Sequence, residues 1–337
     1  MAIGDDRWAG LQFKSVSYAG LEPGTRLIVL GAVHGNEVCG RQAIERVIAE
    51  IEAGRIVIRR GRLTLVPVTN PLAHRENQRS GDRNLNRNLR PTDSPVDFED
   101  HVANWLCPLL AGHEVLLDLH SFHTAGQPFA ALGPENNTGT VEPFAQAARE
   151  EALARRLGVS RFMDGWLDTY ARGVARRVRA PGATPGRATL LNTDPRYGVG
   201  TTEYMRAIGG CSITLECGQH ADPSAPEVAY RAILNALAHL ELADLPRPAP
   251  LAVSEALRLH EVVDKSDDGD VFARDWSSFD RLKRGDHIGT RKDGTRVVAE
   301  QDGYIVFPNP PAQAGQEWFY LAKASPRNWL PDPAEAD

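Results

Sequence analysis

The chain has 337 residues, 42% hydrophobic and 24% charged, enough to bury the core of one large domain plus a smaller one. Its net charge of −6 offers nucleic acid no basic field, and no run approaches the ~18 apolar residues of a membrane-spanning helix. The start MAIGDDRWAG lacks a secretory signal pattern, and Cys39, Cys107, Cys211 and Cys217 form no C-x-x-C pair; reduced core cysteines and a cytoplasmic protein are expected.

RLIVLGAV (26–33) is a nearly continuous apolar run, as in a strand buried on both faces, and it ends at Gly31 to Gly35. A helix follows, with Ile44, Val47, Ile48 and Ile51 on one face. RLTLVPV (62–68), EVLLDLH (114–120) and CSITLEC (211–217) read as further buried strands. Helical patterns fall at 97–110, 143–157, 196–208 and 224–243, the last opening with Ser224 and Glu227 at capping-box spacing. The Gly- and Pro-rich stretch around 179–201 reads as loop. This alternation predicts an α/β domain over 1–245, with a mixed or mostly parallel sheet flanked by helices. LPRPAPL (245–251), with three prolines, reads as a stiff linker. Beyond it, LRLHEVV, HIGT, TRVVAE, GYIVF and EWFYLA, separated by Asp-Gly and Pro turns, predict a smaller antiparallel β domain over 251–337.

The most informative local feature is His34-Gly35-Asn36-Glu37, where a strand ends and a helix begins. Open α/β sheets bind ligands at such strand ends. Imidazole nitrogen and carboxylate oxygen both suit Zn²⁺, and catalytic zinc takes three protein ligands and keeps one position for water. The third ligand should come from another strand end, and DLHSFH supplies His120, with His123 and His113 as rivals. Asp118 points to the same side of that strand and could orient a ligand. A zinc-activated water still needs a carboxylate to take its proton, and Glu216 in CSITLEC is the candidate; on spacing alone it is equally a strand-end glutamate paired with an arginine.

GAVHGNE, NPLAHRENQRSGDRNLNR, LLDLH and ITLECG, in that order, resemble the aspartoacylase and succinylglutamate desuccinylase family of zinc carboxypeptidase-like hydrolases. The resemblance spans about 26–310, including the C-terminal β domain. It implies one Zn²⁺ per chain on His34, Glu37 and His120, and Glu216 as catalytic general acid/base. Within the arginine- and asparagine-rich 79–90 segment it implies Arg79 as the group stabilising the oxyanion, and Asn86 and Arg87 as the grip on a substrate carboxylate. A guanidinium fork matches either anion. It further implies substrate-binding roles for Arg206, ten residues before Glu216, and for Tyr304 of the C-terminal domain.

Two departures stand out. Asn84 occupies the place of the motif's aspartate, for which Asp82 could substitute, and Ser121-Phe122-His123 differs from the small polar run of aspartoacylases. The expected activity is hydrolysis of the amide bond of a small N-acylated amino acid, such as an N-acetyl- or N-succinyl-amino acid. The alternative is a metallocarboxypeptidase acting on short peptides. A dead zinc- or ligand-binding module is disfavoured by the intact residue set. RNA binding by 79–90 is disfavoured because no aromatic platform accompanies the arginines. Neither nucleic acid nor membrane is expected as a partner, and homo-oligomerisation is left open.

Overall fold

Four apolar runs form the centre of the molecule as neighbouring parallel strands, in the order β3 (Arg60–Val66), β2 (Glu22–Leu30), β4 (Val115–Phe122) and β7 (Cys211–Gln219). The computed structural model describes residues 6–179 and 194–329. Every residue of β4 is buried, as a strand covered on both faces must be. Alternation sorts the side chains into two layers. Leu27 and Val29 join Ile44 and Val47 of α1 (Cys39–Glu52) and Ile233 and Ala236 of α7 (Ala225–His239). Ile28 and Leu30 point the other way, to Val102 and Leu106 of α3 (Phe98–Ala111) and Met205 of α6 (Thr201–Ala207).

The sheet extends well past this core. β1 (Val16–Ala19) adds antiparallel to β3 at one edge. At the other, β5 (Phe129–Ala131) runs antiparallel to β7, and β6 (Arg161–Asp164) parallel to β5. β8 (Glu255–Asp264) pairs parallel with β6, then β14 (Glu317–Ala324), β13 (Gly303–Val306) and β10 (Asp280–Leu282) follow antiparallel, making eleven strands. A separate antiparallel sheet holds β9 (Val271–Phe272), β11 (His287–Thr290) and β12 (Arg296–Val298).

This is the expected large mixed sheet flanked by helices; the strands beyond 251 pair antiparallel with one another, and β8 joins four of them to the main sheet by its parallel ladder with β6. The helix expected at 196–208 is broken into a 3₁₀ turn (Pro195–Gly198) and α6. The helix expected at 143–157 is the shorter α4 (Ala147–Ala154). The Ser224–Glu227 capping box does not form: Ser224 is helical itself and donates to Asp222, while Glu227 pairs with Arg46 and Arg231. Of the loop expected over 179–201, residues 180–193 lie outside the described residues; its flanks are α5 (Trp166–Arg179) and the 3₁₀ turn.

Candidate metal and catalytic site

Strand β2 ends at Leu30, and Ala32 then turns the chain through the left-handed region (φ 47°), a conformation a β-carbon disfavours. Hydrogen bonds from Thr69 to the Gly31 carbonyl and from Asn70 N–H to the Ala32 carbonyl hold that turn against the end of β3. Gly35 seats it on α2 (Pro71–Arg75): a Cβ there would lie 2.0 Å from the Ala73 carbonyl carbon. His34 and Glu37 are thereby aimed at one point, and His120 reaches it from β4, the strand beside β2.

Glu37 joins the two imidazoles. Its Oε1 lies 2.8 Å from His34 Nδ1 and its Oε2 2.9 Å from His120 Nδ1, and the Ser121 N–H donates to Oε2 at 3.1 Å. One ligand atom from each of the three residues lies within 4.8 Å of the others, and all three residues are buried. The donor set fits a divalent cation. Burial and the Arg79 charge push His34 down to about 3, leaving the neutral imidazole that a metal needs. Burial opposes the charge on Glu37, yet the two imidazoles hold its carboxyl well below the ordinary range. Burial also opposes protonation of His120, but Asp118 and Glu37 raise it well above normal. Three buried atoms beside it, His120 Nε2, Asp118 Oδ1 and Glu216 Oε2, have no hydrogen-bond partner among the described residues. Asp118 Oδ2 comes within 2.9 Å of His120 Nε2 but outside hydrogen-bonding geometry, and accepts instead from Thr201.

The cluster opens into a cleft of about 990 Å³, its mouth included. Glu216 stands opposite His120 across the β4–β7 ladder and faces the cleft. Burial, and secondarily the charge of Glu37 set against that of His120, raises its carboxyl to about 8. Arg79 donates to Glu37 Oε1 at 3.0 Å from a partly exposed position on the wall. Asn86 accepts through Oδ1 from the Thr201 N–H at 3.0 Å. Arg87 is buried, with its guanidinium carbon 4.7 Å above the Trp166 ring, Nη1 donating to the Asn86 carbonyl, and Nη2 3.5 Å from Glu317. Burial opposes its charge, but Glu317 and nearby tyrosines make it more basic than usual.

Arg206 also reaches the wall, but its guanidinium is engaged by Glu142, Glu150 and Glu203 and by Ser212. Tyr304 is not among the cleft-lining residues. Paired with Ala322 on β14, it packs against the apolar cluster around Phe122 and Phe129, and Phe307, Pro308 and Asn309 from the next turn line the cleft instead. His113 is occupied by the Leu109 carbonyl and Thr64, away from the cluster. His123 lines the cleft, stacked edge-on at 4.6 Å with His220, whose Nδ1 is 2.8 Å from Ser121 Oγ. The cleft-lining Trp166, Phe307–Asn309 and Glu317 escape a reading of the sequence, since nothing local marks a residue whose role is set by a distant strand.

Residues 23–149 match the family described as succinylglutamate desuccinylase/aspartoacylase catalytic domain. This stretch belongs to that family. Comparison with curated protein sequences returns no match. The fold of the whole chain is similar to that of a succinylglutamate desuccinylase/aspartoacylase from Rhodobacter sphaeroides, with TM-score 0.68, 16% identity, and 94% of this chain and 90% of the other covered. The product-bound ectoine utilization protein EutE (DoeB) from Ruegeria pomeroyi gives TM-score 0.66, 17% identity, and 92% and 88% coverage. Succinylglutamate desuccinylase from Vibrio cholerae gives TM-score 0.66, 18% identity, and 92% and 85% coverage.

Within the desuccinylase/aspartoacylase stretch, Asn84 keeps the acceptor that an aspartate would offer. Its Oδ1 takes the Asn86 N–H at 2.9 Å and lies 3.2 Å from His34 Nε2. Asp82 does not substitute for it, because its two oxygens are used by Arg7 and by the Phe98 N–H at the start of α3.

Proposed function

We propose that this chain is a zinc-dependent hydrolase that cleaves the amide bond of a small N-acyl amino acid. The carrying observation is that one cleft gathers a buried His–Glu–His donor set, a second buried carboxyl on the adjacent strand, and the Arg79 and Asn86–Arg87 groups. His34, Glu37 and His120 would hold one Zn²⁺, which when bound supplies Lewis acidity toward water and the amide carbonyl.

The protein's own groups do the rest. Glu216 takes a proton from the attacking water and returns it to the departing nitrogen, in a site dry enough for its proton affinity to be tuned. Arg79, a partly exposed guanidinium beside the donor set, faces the charge that develops on the carbonyl oxygen. Arg87, stiffened by Trp166 and Glu317, grips the substrate carboxylate together with the Asn86 amide. Arg206, bound by three carboxylates, shapes the wall behind them. We assign residues 251–337 the role of a cover, on the strength of Phe307, Pro308, Asn309 and Glu317 closing one side of the cleft; such a cover favours small substrates over peptides.

The test is metal analysis combined with a substrate panel. Zinc-loaded protein should carry one ion per chain, lose it in His34→Ala and His120→Ala, and hydrolyse acetyl- or succinyl-amino acids faster than short peptides. Preference for C-terminal peptide bonds would give the carboxypeptidase alternative, and absence of stoichiometric metal would end the hydrolase reading.

A further inference from the structure

The mechanism gives no task to the buried carboxylate of Glu99. Glu99, in the first turn of α3, has no exposed surface, and four donors converge on it. Asn70 Nδ2 at 2.8 Å and the Gly81 N–H at 2.9 Å reach Oε1; the N–H groups of Asp82 at 3.2 Å and Arg83 at 3.1 Å reach Oε2.

Glu99 is not needed to finish its own helix. The N-terminus of α3 is already closed by a capping box between Asp97 and Asp100. Its acceptors serve another segment, and a buried carboxylate this fully satisfied fixes whatever it binds. That segment is the loop between Arg79 and Arg87. Gly81 lies so close that a Cβ would meet Glu99 Oε1 at 2.7 Å and Leu72 Cδ2 at 2.8 Å. Asn70 extends the link: its side chain caps α2, the helix leading to Arg79, and its N–H holds the Ala32 carbonyl just before His34. From the same end of α3, Asp97 and Asp100 grip the Arg83 guanidinium, whose Nη1 donates to the carbonyls of Arg87 at 2.9 Å and Asn84 at 3.3 Å.

We propose that Glu99 is a positioning residue for the site: it pins residues 81–83 to the start of α3, so that Arg79 on one side and Asn86 and Arg87 on the other face the same cleft. The claim about consequences for turnover rests on the function proposed above; the claim about the anchor does not. The experiment therefore reads both. Glu99→Gln keeps the shape but turns an amide N–H₂ toward backbone donors, and Gly81→Ala pushes the same backbone away from Glu99 by its added Cβ while leaving the carboxylate's charge in place. In zinc-loaded full-length protein, each variant should lower kcat/KM by roughly 10²-fold, the cost of a catalytic group misplaced by about 1 Å, with KM and kcat both affected. Amides 81–83 should exchange with deuterium faster, while zinc stoichiometry and protection of β2, β4 and β7 stay at wild-type levels.

Wild-type protection at 81–83 in both variants would overturn the anchor. Faster exchange with unchanged kinetics, or activity lost only in step with zinc or with global stability, would overturn the positioning role. If wild-type protein hydrolyses no N-acyl amino acid, the functional reading fails separately, and exchange at 81–83 alone decides the anchor.

Discussion

Replacing Glu216 by Gln should make the protein more stable and less active at once. The side chain is buried, and Oε2 has no hydrogen-bond partner to lose among the described residues. Burial raises the carboxyl from its ordinary 4.5 to about 8. At pH 7 the metal-free folded chain therefore keeps a proton that the unfolded chain has released. With the group still protonated when folded, the cost is set by the 2.5 units between 4.5 and 7, or about 3 kcal/mol at 1.36 kcal/mol per unit. The sign follows: the wild type loses stability as pH rises from about 4.5 toward 8, whereas an amide titrates nowhere in that range. Denaturant melts of metal-free protein from pH 4 to 8 should show the Gln variant gaining up to about 3 kcal/mol near neutrality and nothing at pH 4. Zinc-loaded Gln variant should lose ~10²–10⁴-fold in kcat with KM little changed. A variant that gains no stability at pH 7 refutes the buried-acid argument, and one whose kcat stays within tenfold of wild type refutes the proton-transfer role.

Arg87→Lys should raise KM ~10–100-fold with a smaller change in kcat, because a lysine loses the planar fork and the stack on Trp166; steady-state kinetics over a substrate series checks this. Arg206→Met leaves Glu142, Glu150 and Glu203 together without their cation and should cost about 3–5 kcal/mol in denaturant unfolding, less at low pH where carboxylates protonate. Asn84→Asp puts a negative charge next to His34, and should tighten zinc by up to ~10-fold in competition with a chelating dye.

Much of this molecule is legible from the sequence because its central strands are covered on both faces. RLIVLGAV, RLTLVPV, EVLLDLH and CSITLEC announce themselves as short, mostly apolar runs, and the strand-end histidines follow from where those runs stop. The short β5 and β6 carry no such run: three and four residues give periodicity nothing to act on, and β-ladder partners far along the chain define them. Ser224 and Glu227 have the spacing of a cap, yet Asp222 and Arg46 outcompete it once the fold brings them near. Around the site, resemblance could list Arg87 and Arg206 side by side as carboxylate binders. Only the packing distinguishes an arginine held by one glutamate and two aromatic faces from one locked among three acids. Glu99 was invisible for the same reason, since its partners are backbone N–H groups that every sequence possesses.

The ladder between β6 and β8, Arg161–Asp164 against Glu255–Arg258, welds the C-terminal strands onto the catalytic sheet. Swinging them outward as a rigid flap would tear those bonds and bare Met163 and Leu257, both sealed from water. The turn at 307–309 is tied to the same wall: the Phe307 N–H donates to Ser278 Oγ at 3.0 Å, the Asn309 N–H to the Trp318 carbonyl at 2.9 Å, and the Phe307 ring packs on Phe129 and Tyr320. The side of the cleft it closes is thus braced by the sheet itself, and a ligand meets a boundary already set before it arrives.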